Sequence, residues 1–218
     1  MEYKGIDVST FQGDIDWEKV KDEGIQFAII RAGFGEGNID DKFERNATEC
    51  NRIGLPIGLY WFSYAYTEDM AKEEARYCVE EAKKYKVEYP LFYDFEYASI
   101  RYANEQGVYV SNSLASSLVN AFCSEVEAYK YFASFYSNYD LLTNLFQPYL
   151  RKRYALWYAQ YASKPEITDS IIWQYSSVGE IGGISGYVDR DIAYEDLPSI
   201  IKKAGLNGLK DDECECSE

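Results

Sequence analysis

The sequence contains no histidine among its 218 residues. This absence excludes a Ser-His-Asp triad, a Cys-His pair and a zinc-binding HExxH helix, since each of them needs an imidazole. Any acid–base chemistry must therefore use carboxylates, tyrosine, lysine or cysteine. No motif in the chain calls for a metal ion or another cofactor, so we expect none.

Long apolar runs and positive charge are also scarce. No run of about 18 apolar residues occurs, so we expect no membrane span, and the opening MEYKGIDVS lacks a signal-peptide core. The chain has 22 basic and 37 acidic residues and a formal net charge of −15. Such an acidic protein is a poor candidate for sequence-independent binding of nucleic acid.

The five cysteines are odd in number and show no disulfide framework. Cys50, Cys78 and Cys123 fall on the apolar stripes of predicted helices, where we expect buried free thiols. Cys214 and Cys216 lie in the terminal stretch DDECECSE. Their spacing is too short for an ordinary disulfide, and the stretch lacks the partners of a zinc site.

Short β-branched and aromatic runs alternate with amphipathic helical patterns in the first half of the chain, which predicts an α/β fold. The second half has little room for helices between its strands. We therefore expect a TIM-like barrel with an incomplete helical ring, and a doubly wound open sheet is the alternative. The predicted strands are 5–9, 27–33, 56–63, 91–96, 131–137, 155–161 and 171–176, and the predicted helices are 16–23, 40–53, 67–85, 113–129, 139–146 and 194–204. Residues 1–205 form the predicted barrel domain, and 206–218 an acidic tail that is disordered or the stub of a linker.

Carboxylates stand at the ends of two predicted strands. The run PLFYDFEY ends in Asp94 and Glu96, which share one face of a strand while Phe95 takes the other. Their Cα atoms would lie about 6.5–7 Å apart. Two carboxyls this close raise one another's pKa and can supply a proton donor beside an anion, as glycoside hydrolysis requires. A solvated strand end is the alternative, but the apolar strand and Asp7 at the end of the first strand favour a site.

Aromatic and polar side chains occur at the same strand ends and could line a glycan groove or simply fill the barrel. Arg31 and Gln174 interrupt apolar strands, and we expect Arg31 to pair with a carboxylate in the barrel lumen. The loop VGEIGGISG precedes YVDRD, which would bring two more acids to the barrel mouth. The candidate substrate contacts are Tyr60, Trp61, Tyr136, Trp157, Gln174, Arg31 and Asp191.

Seven motifs in order resemble those of glycoside hydrolase family 25, the Chalaropsis-type lysozymes found in phage endolysins, bacteria and fungi. They span about residues 3–195 and read GIDVSTFQGDIDW, IIRAGFGEG, GLYWFSYA, YDFE, WYAQY, WQYSS and ISGYVDRD. The resemblance implies a barrel of five β/α units and three further strands. It also implies an N-acetylmuramidase that cleaves the β-1,4 bond between N-acetylmuramic acid and N-acetylglucosamine in bacterial peptidoglycan.

The resemblance assigns roles to four carboxylates. Glu96 matches the general acid, Asp94 the acid that assists the second step, Asp7 the N-terminal acid and Asp189 the late acid of the site. Two departures stand out: Trp61 replaces a histidine common in the family, and the closing motif reads GYVDRD where GNVDxN is frequent. The second departure leaves the late acid to be chosen between Asp189 and Asp191.

The resemblance further implies a monomer that acts on the cell wall outside the cytoplasm, after secretion or release by lysis. A catalytically silent glycan-binding module on the same barrel is the main alternative. A chitinase-like enzyme of family 18 is disfavoured, because the D-x-x-D-x-D-x-E signature is absent and Phe92 stands two positions before Asp94.

Overall fold

A computed structural model describes residues 2–210. Its strands are β1 (Tyr3–Val8), β2 (Phe27–Phe34), β3 (Asn38–Ile39), β4 (Ile57–Phe62), β5 (Leu91–Asp94), β6 (Ala133–Asn138), β7 (Ala155–Ala159), β8 (Ile172–Gly179) and β9 (Val188–Ala193). Its α-helices are α1 (Trp17–Asp22), α2 (Phe43–Arg52), α3 (Glu68–Ala82), α4 (Tyr97–Glu105), α5 (Asn112–Ala128), α6 (Tyr139–Asn144), α7 (Tyr149–Arg153) and α8 (Leu197–Lys203). A short 3₁₀ turn, Thr10–Gln12, follows β1.

Eight of the strands close into a barrel. Strands β1, β2 and β4 to β8 are parallel neighbours, while β9 runs antiparallel to both β8 and β1. The pairing of β1 with both β2 and β9 leaves no open edge there, so the predicted barrel is confirmed and the open sheet is wrong. The ninth strand, β3, pairs antiparallel with the end of β2 and forms a hairpin at the rim.

Both faces of the barrel wall are apolar, because side chains along each strand alternate between lumen and helices. Ile30, Trp61 and Tyr93 point outward into the core beneath the helices. Phe27 and Phe92 point inward and fill the bottom of the lumen. Gly5 leaves room for this filling, since a Cβ there would lie 2.2 Å from the Phe27 ring. The polar side chains of the lumen are therefore concentrated at the mouth of the barrel.

The secondary structure differs from the prediction in several places. Helices α4 and α7 are short and were not expected. The segment expected to approach the barrel mouth after the glycine-rich loop is a full strand, β9. Strand β5 ends at Asp94, two residues earlier than predicted, because Glu96 already caps α4.

Three of the five cysteines lie within the described residues 2–210. Cys50, Cys78 and Cys123 are buried free thiols, as expected, whereas Cys214 and Cys216 lie outside the described residues. Among the helices of the described chain, none has both the length and the apolar character needed to cross a bilayer.

The predicted tail starts too early. Asn207 is buried, and its side chain donates to the carbonyls of Val87 and Tyr89 and accepts from the N–H of Phe132. Leu206 and Leu209 pack against the core of the lumen. Residues 206–209 therefore close the bottom of the barrel, while residues 211–218 of the predicted tail lie outside the described part of the chain.

Candidate active site

A pocket of about 280 Å³ opens at the carboxyl ends of the parallel strands. Carboxylates from three strand ends and one helix start enter it. Its lining residues are Asp7, Val8, Ser9, Phe11, Gln12, Arg31, Tyr60, Phe62, Asp94, Glu96, Tyr136, Trp157, Tyr161, Gln174 and Asp189. All four acids to which the sequence resemblance assigns catalytic roles are thus brought together.

The Asp94–Glu96 pair is built by the transition from β5 to α4. Phe95 turns outward into the core and stacks on Tyr93 with ring centroids 6.2 Å apart. Glu96 keeps extended backbone angles (φ −126°, ψ −173°), and its N–H donates to Ser99 Oγ at 3.0 Å. Both carboxyls consequently face the pocket, and each shifts the pKa of the other.

Two neighbouring buried carboxyls favour retention of a proton, because desolvation and mutual repulsion both disfavour two negative charges. Burial raises the pKa of Asp94 well above its ordinary value, and the charge of Glu96 raises it further. Burial also raises the pKa of Glu96, while the hydrogen bond with Asp94 lowers it. Asp94 is 5% exposed, whereas Glu96 is half-buried and is the more accessible member of the pair.

Asp7 is held by a side-chain network that crosses the lumen. Gln174 Nε2 donates to Asp7 Oδ2 at 2.7 Å. Gln174 Oε1 in turn accepts from the hydroxyls of Tyr136 (3.1 Å) and Tyr161 (3.2 Å). Burial and the charges of Asp191 and Asp189 raise the pKa of Asp7, against the lowering effect of the Gln174 hydrogen bond. Gln174 is buried and has its polar atoms engaged, so it acts as a brace for the acid.

The two acids of β9 differ in depth. Asp189 lies opposite Asp7 in the β1–β9 register and lines the pocket, and burial raises its pKa to about 6. Asp191 lies opposite Gly5, one layer deeper, and is 0% exposed. Trp157 Nε1 donates to Asp191 Oδ1 at 2.8 Å, and the charge of Asp191 raises the pKa of Asp7. The expectation that Asp191 contacts substrate is therefore not met, because it supports Asp7 from below.

Replacing Asp191 by Asn should remove a pH-dependent loss of stability. Burial raises the pKa of Asp191 to about 7, so the folded protein keeps a proton that the unfolded chain releases above about pH 4. The stability of the wild type should then fall as pH rises from about 4 to about 7. Asparagine can still accept from Trp157 but cannot ionise. The free energy of unfolding of the variant, relative to that of the wild type, should therefore be about 1–3 kcal/mol higher at pH 8 than at pH 4.5.

Urea unfolding at the two pH values measures this gain. The exposed Asp22 on α1 offers a matched control, since Asp22→Asn should change stability equally at both pH values. A pH-independent difference between Asp191→Asn and wild type would contradict the assignment of a retained proton to Asp191.

Arg31 does not pair with a lumen acid, and this expectation is wrong. Its Nε and Nη2 both donate to Asp40 Oδ2, at 2.8 and 2.7 Å. Asp40 follows the β2–β3 hairpin, which folds back over the end of β2 and brings the carboxylate to the guanidinium. Arg31 still lines the pocket, and its positive charge lowers the pKa of Asp94.

Trp61 is absent from the pocket, which corrects its expected contact with substrate. Its indole is fully buried on the outer face of β4, donates to the Gly35 carbonyl at 3.0 Å and stacks on Tyr77. Strand alternation explains the difference, because Tyr60 and Phe62 on either side of it face the lumen. Tyr60, Tyr136 and Trp157 line the pocket, with their rings in edge contact.

Three aromatic residues of the pocket were not among the sequence candidates. Phe62 could have been found from its spacing of two from Tyr60. Tyr161 stands in the WYAQY motif, but it follows the end of β7 and its direction could not be predicted by alternation. Phe11 belongs to a turn, where the sequence gives no signal of pocket position.

A closed barrel of largely parallel strands with a ring of carboxylates at the carboxyl ends of its strands is an arrangement suited to a glycoside hydrolase. The family model "Glycosyl hydrolases family 25" matches residues 6–184. The chain belongs to this family.

Individual relatives agree with this assignment. The chain is 28% identical over 203 residues to "Lysozyme M1" of Streptomyces globisporus, covering 86% of this chain and 66% of that protein. The structure of the modular autolysin LytC from Streptococcus pneumoniae, in complex with a synthetic peptidoglycan ligand, is 30% identical with a TM-score of 0.78, covering 88% of this chain and 47% of LytC. The structure of a bacterial lysozyme from Streptomyces coelicolor is 26% identical with a TM-score of 0.78, covering 93% of this chain and 96% of that chain. The chain thus spans less than half of the modular autolysin.

Proposed function

We propose that this protein is a lysozyme-type muramidase. It hydrolyses the β-1,4 bond between N-acetylmuramic acid and N-acetylglucosamine in peptidoglycan, with retention at the anomeric carbon. The observation that carries the proposal is the presence of Asp94 and Glu96, with Asp7 and Asp189, in one pocket at the barrel mouth. A lysozyme and a peptidoglycan-bound autolysin among the relatives support the substrate.

Glu96 acts as the general acid in this proposal. It is the more accessible member of the pair and lies at the start of α4, where it can reach the glycosidic oxygen. The proton shared within the pair passes to that oxygen as the glycosidic bond breaks. Positive charge then develops at the anomeric carbon, and an electron pair on the sugar face opposite the leaving group must stabilise it.

Asp94 assists this step. It either orients the acetamido oxygen of the substrate towards the anomeric carbon or stabilises the charge with its own carboxylate. A water molecule, deprotonated by Glu96, then completes hydrolysis on the face that the leaving group vacated. Inverting enzymes need about 6.5–9.5 Å between their two carboxyls to admit a water molecule. Asp94 and Glu96 are only two residues apart and shift one another's pKa, and this short spacing favours retention.

Asp7 and Asp189 complete the negative wall opposite this pair. They lie opposite one another in the β1–β9 register, and both have a raised pKa. We assign them to stabilising and orienting the sugar ring on which charge develops. Tyr60, Tyr136 and Trp157 supply apolar faces beneath that ring. The proposed place of action is the bacterial cell wall, outside the cytoplasm.

Digestion of purified peptidoglycan tests the activity and the stereochemistry together. Mass spectrometry should show new reducing ends at N-acetylmuramic acid, and proton NMR of early products should show the β anomer. Reducing ends at N-acetylglucosamine would contradict the bond assignment, and early α anomer would contradict retention. Binding to peptidoglycan without any new reducing ends would instead favour a silent glycan-binding module.

A further inference from the structure

A cavity of about 380 Å³ lies between the β2–β3 hairpin and helices α3 and α4, and none of its lining residues lines the catalytic pocket. Its aromatic walls are Tyr64, Tyr77 and Tyr102, and we call it the tyrosine cavity. The Tyr64 and Tyr102 rings contact one another with centroids 5.0 Å apart, while Tyr77 stacks on the buried Trp61. Ring contacts thus hold the walls in place, which leaves a preorganised aromatic surface.

The charged groups that line the tyrosine cavity all have the same sign. They are Glu36, Asp69, Glu73 and Glu74, and no lysine or arginine is among the described residues of the lining. Asp69 and Glu73 form ion pairs with cations of α3. Glu36, at the tip of the hairpin, is exposed and has no ion-pair partner within residues 2–210. The local field therefore favours a positively charged occupant.

Glu74 gives a second and independent indication of a missing cation. Its side chain is buried, with only 3% of the residue exposed, and its Oε1 accepts from the Tyr64 N–H at 2.8 Å. Its Oε2 is also buried and has no hydrogen-bond partner in the described part of the chain. Burial raises the pKa of Glu74 to about 8, as expected for a carboxyl whose charge no neighbouring cation balances. A cation bound in the cavity would supply that partner.

The walls distinguish an organic cation from a metal ion. A metal ion needs several oxygen ligands close together, and residues 2–210 contain no group of three or more acidic, cysteine or histidine side chains suited to hold one. Aromatic faces instead attract ammonium groups through cation–π interactions. Met70 adds an adaptable apolar surface to the same lining. An ammonium group on an alkyl chain matches both the acids and the apolar walls.

We propose that the tyrosine cavity binds an alkylammonium group, with the amine beside Glu36 and Glu74 and the alkyl chain against the tyrosine rings. The group can belong to a free amine or to an amine-bearing stem peptide of the cell wall. Phe62 lines the catalytic pocket and contacts Tyr64 with centroids 5.4 Å apart, so the cavity borders the pocket. We therefore expect the stem peptide to be the source. Only this choice of source rests on the proposed muramidase function.

An NMR titration with two small probes tests the site directly. Nα-acetyl-lysine amide carries the ammonium group, and Nα,Nε-diacetyl-lysine amide is its uncharged counterpart. The charged probe should bind with a Kd of about 1 mM and shift the backbone signals of Tyr64 and Met70, and the uncharged probe should bind about tenfold more weakly. Glu36→Gln and Tyr102→Leu, which remove one charge and one aromatic face, should each weaken binding of the charged probe by about threefold to tenfold.

Glu105→Gln and Tyr109→Leu are matched controls, because both residues are exposed and lie outside the cavity. Neither should change the affinity for the charged probe. Equal affinity for the two probes would overturn the inference, as would binding that Glu36→Gln or Tyr102→Leu leaves unchanged. Signal shifts spread over the acidic surface, with none at the cavity, would also overturn it.

Hydrolysis of peptidoglycan with free or acetylated amines identifies the source. The wild type should show a KM about threefold to tenfold lower on the untreated polymer, and Glu36→Gln should hydrolyse the two polymers equally. An equal KM for the wild type would exclude the stem peptide and assign the site to a free amine. Absence of hydrolysis of either polymer would contradict the proposed muramidase function, while the titration would still decide whether the cavity binds the amine.

Discussion

Glu96→Gln should lower the rate of peptidoglycan hydrolysis by about 10²–10⁴-fold, the usual contribution of a positioned general acid. Glutamine is nearly the same size as glutamate but has no proton of comparable acidity to give to the glycosidic oxygen. The Glu96 N–H bond to Ser99 comes from the backbone and survives the change, so α4 should still begin at the same place. Release of reducing ends from purified cell walls measures the rate, and circular dichroism with thermal unfolding confirms the fold.

Glu105 on the same helix supplies the matched control. It is exposed and remote from the pocket, so Glu105→Gln should retain the wild-type rate. Near-normal hydrolysis by Glu96→Gln would show that another group donates the proton and would remove the central residue from the proposed mechanism.

Asp94→Asn should impair turnover much more than binding. Asparagine is nearly the same size as aspartate but carries no negative charge with which to stabilise the anomeric carbon or orient the substrate's acetamido group. A loss in kcat of about 10²–10³-fold is expected, similar to the loss of a preorganised electrostatic group in other enzymes. Affinity for undigested peptidoglycan, measured by sedimentation of the protein with cell walls, should change by less than about threefold.

The exposed Asp69 in the first turn of α3 is a suitable comparison for Asp94. Asp69→Asn should alter neither kcat nor sedimentation with walls. Loss of wall binding by Asp94→Asn without a fall in kcat for the bound fraction would contradict the assisting role and indicate a residue that only binds substrate.

The strand pattern carried most of what could be predicted of this site. Alternation along PLFYDFEY places Asp94 and Glu96 on one face and Phe95 on the other, and the structure has them there, although β5 ends at Asp94 and Glu96 follows the pattern only through its extended backbone. The same rule, applied strictly to GLYWFS, would have removed Trp61 from the candidates. Local periodicity was thus sufficient wherever the side chain in question belongs to a regular strand.

Contacts between distant segments account for what the sequence could not show. The partner of Arg31 depends on β3, a strand of only two residues with no recognisable pattern. The depth of Asp191 depends on its antiparallel register with Gly5, and the sequence does not show the register between two strands so far apart in the chain. Phe11 gained its position from a turn fixed by Asp40, a long-range contact that no local rule describes.

The pairing of the first strand with the last has a consequence for synthesis of the protein. Asp7 belongs to β1, whereas Asp189 comes from β9, so the ring of acids joins the two extremes of the barrel sequence. A growing chain on the ribosome cannot bring them together until the last strand has emerged and closed the gap between β1 and β8. Closure over such a sequence separation is slow relative to local helix formation. Unfinished or truncated chains that lack β9 therefore lack Asp189 and a closed barrel, and the ring of acids forms only at the end of folding.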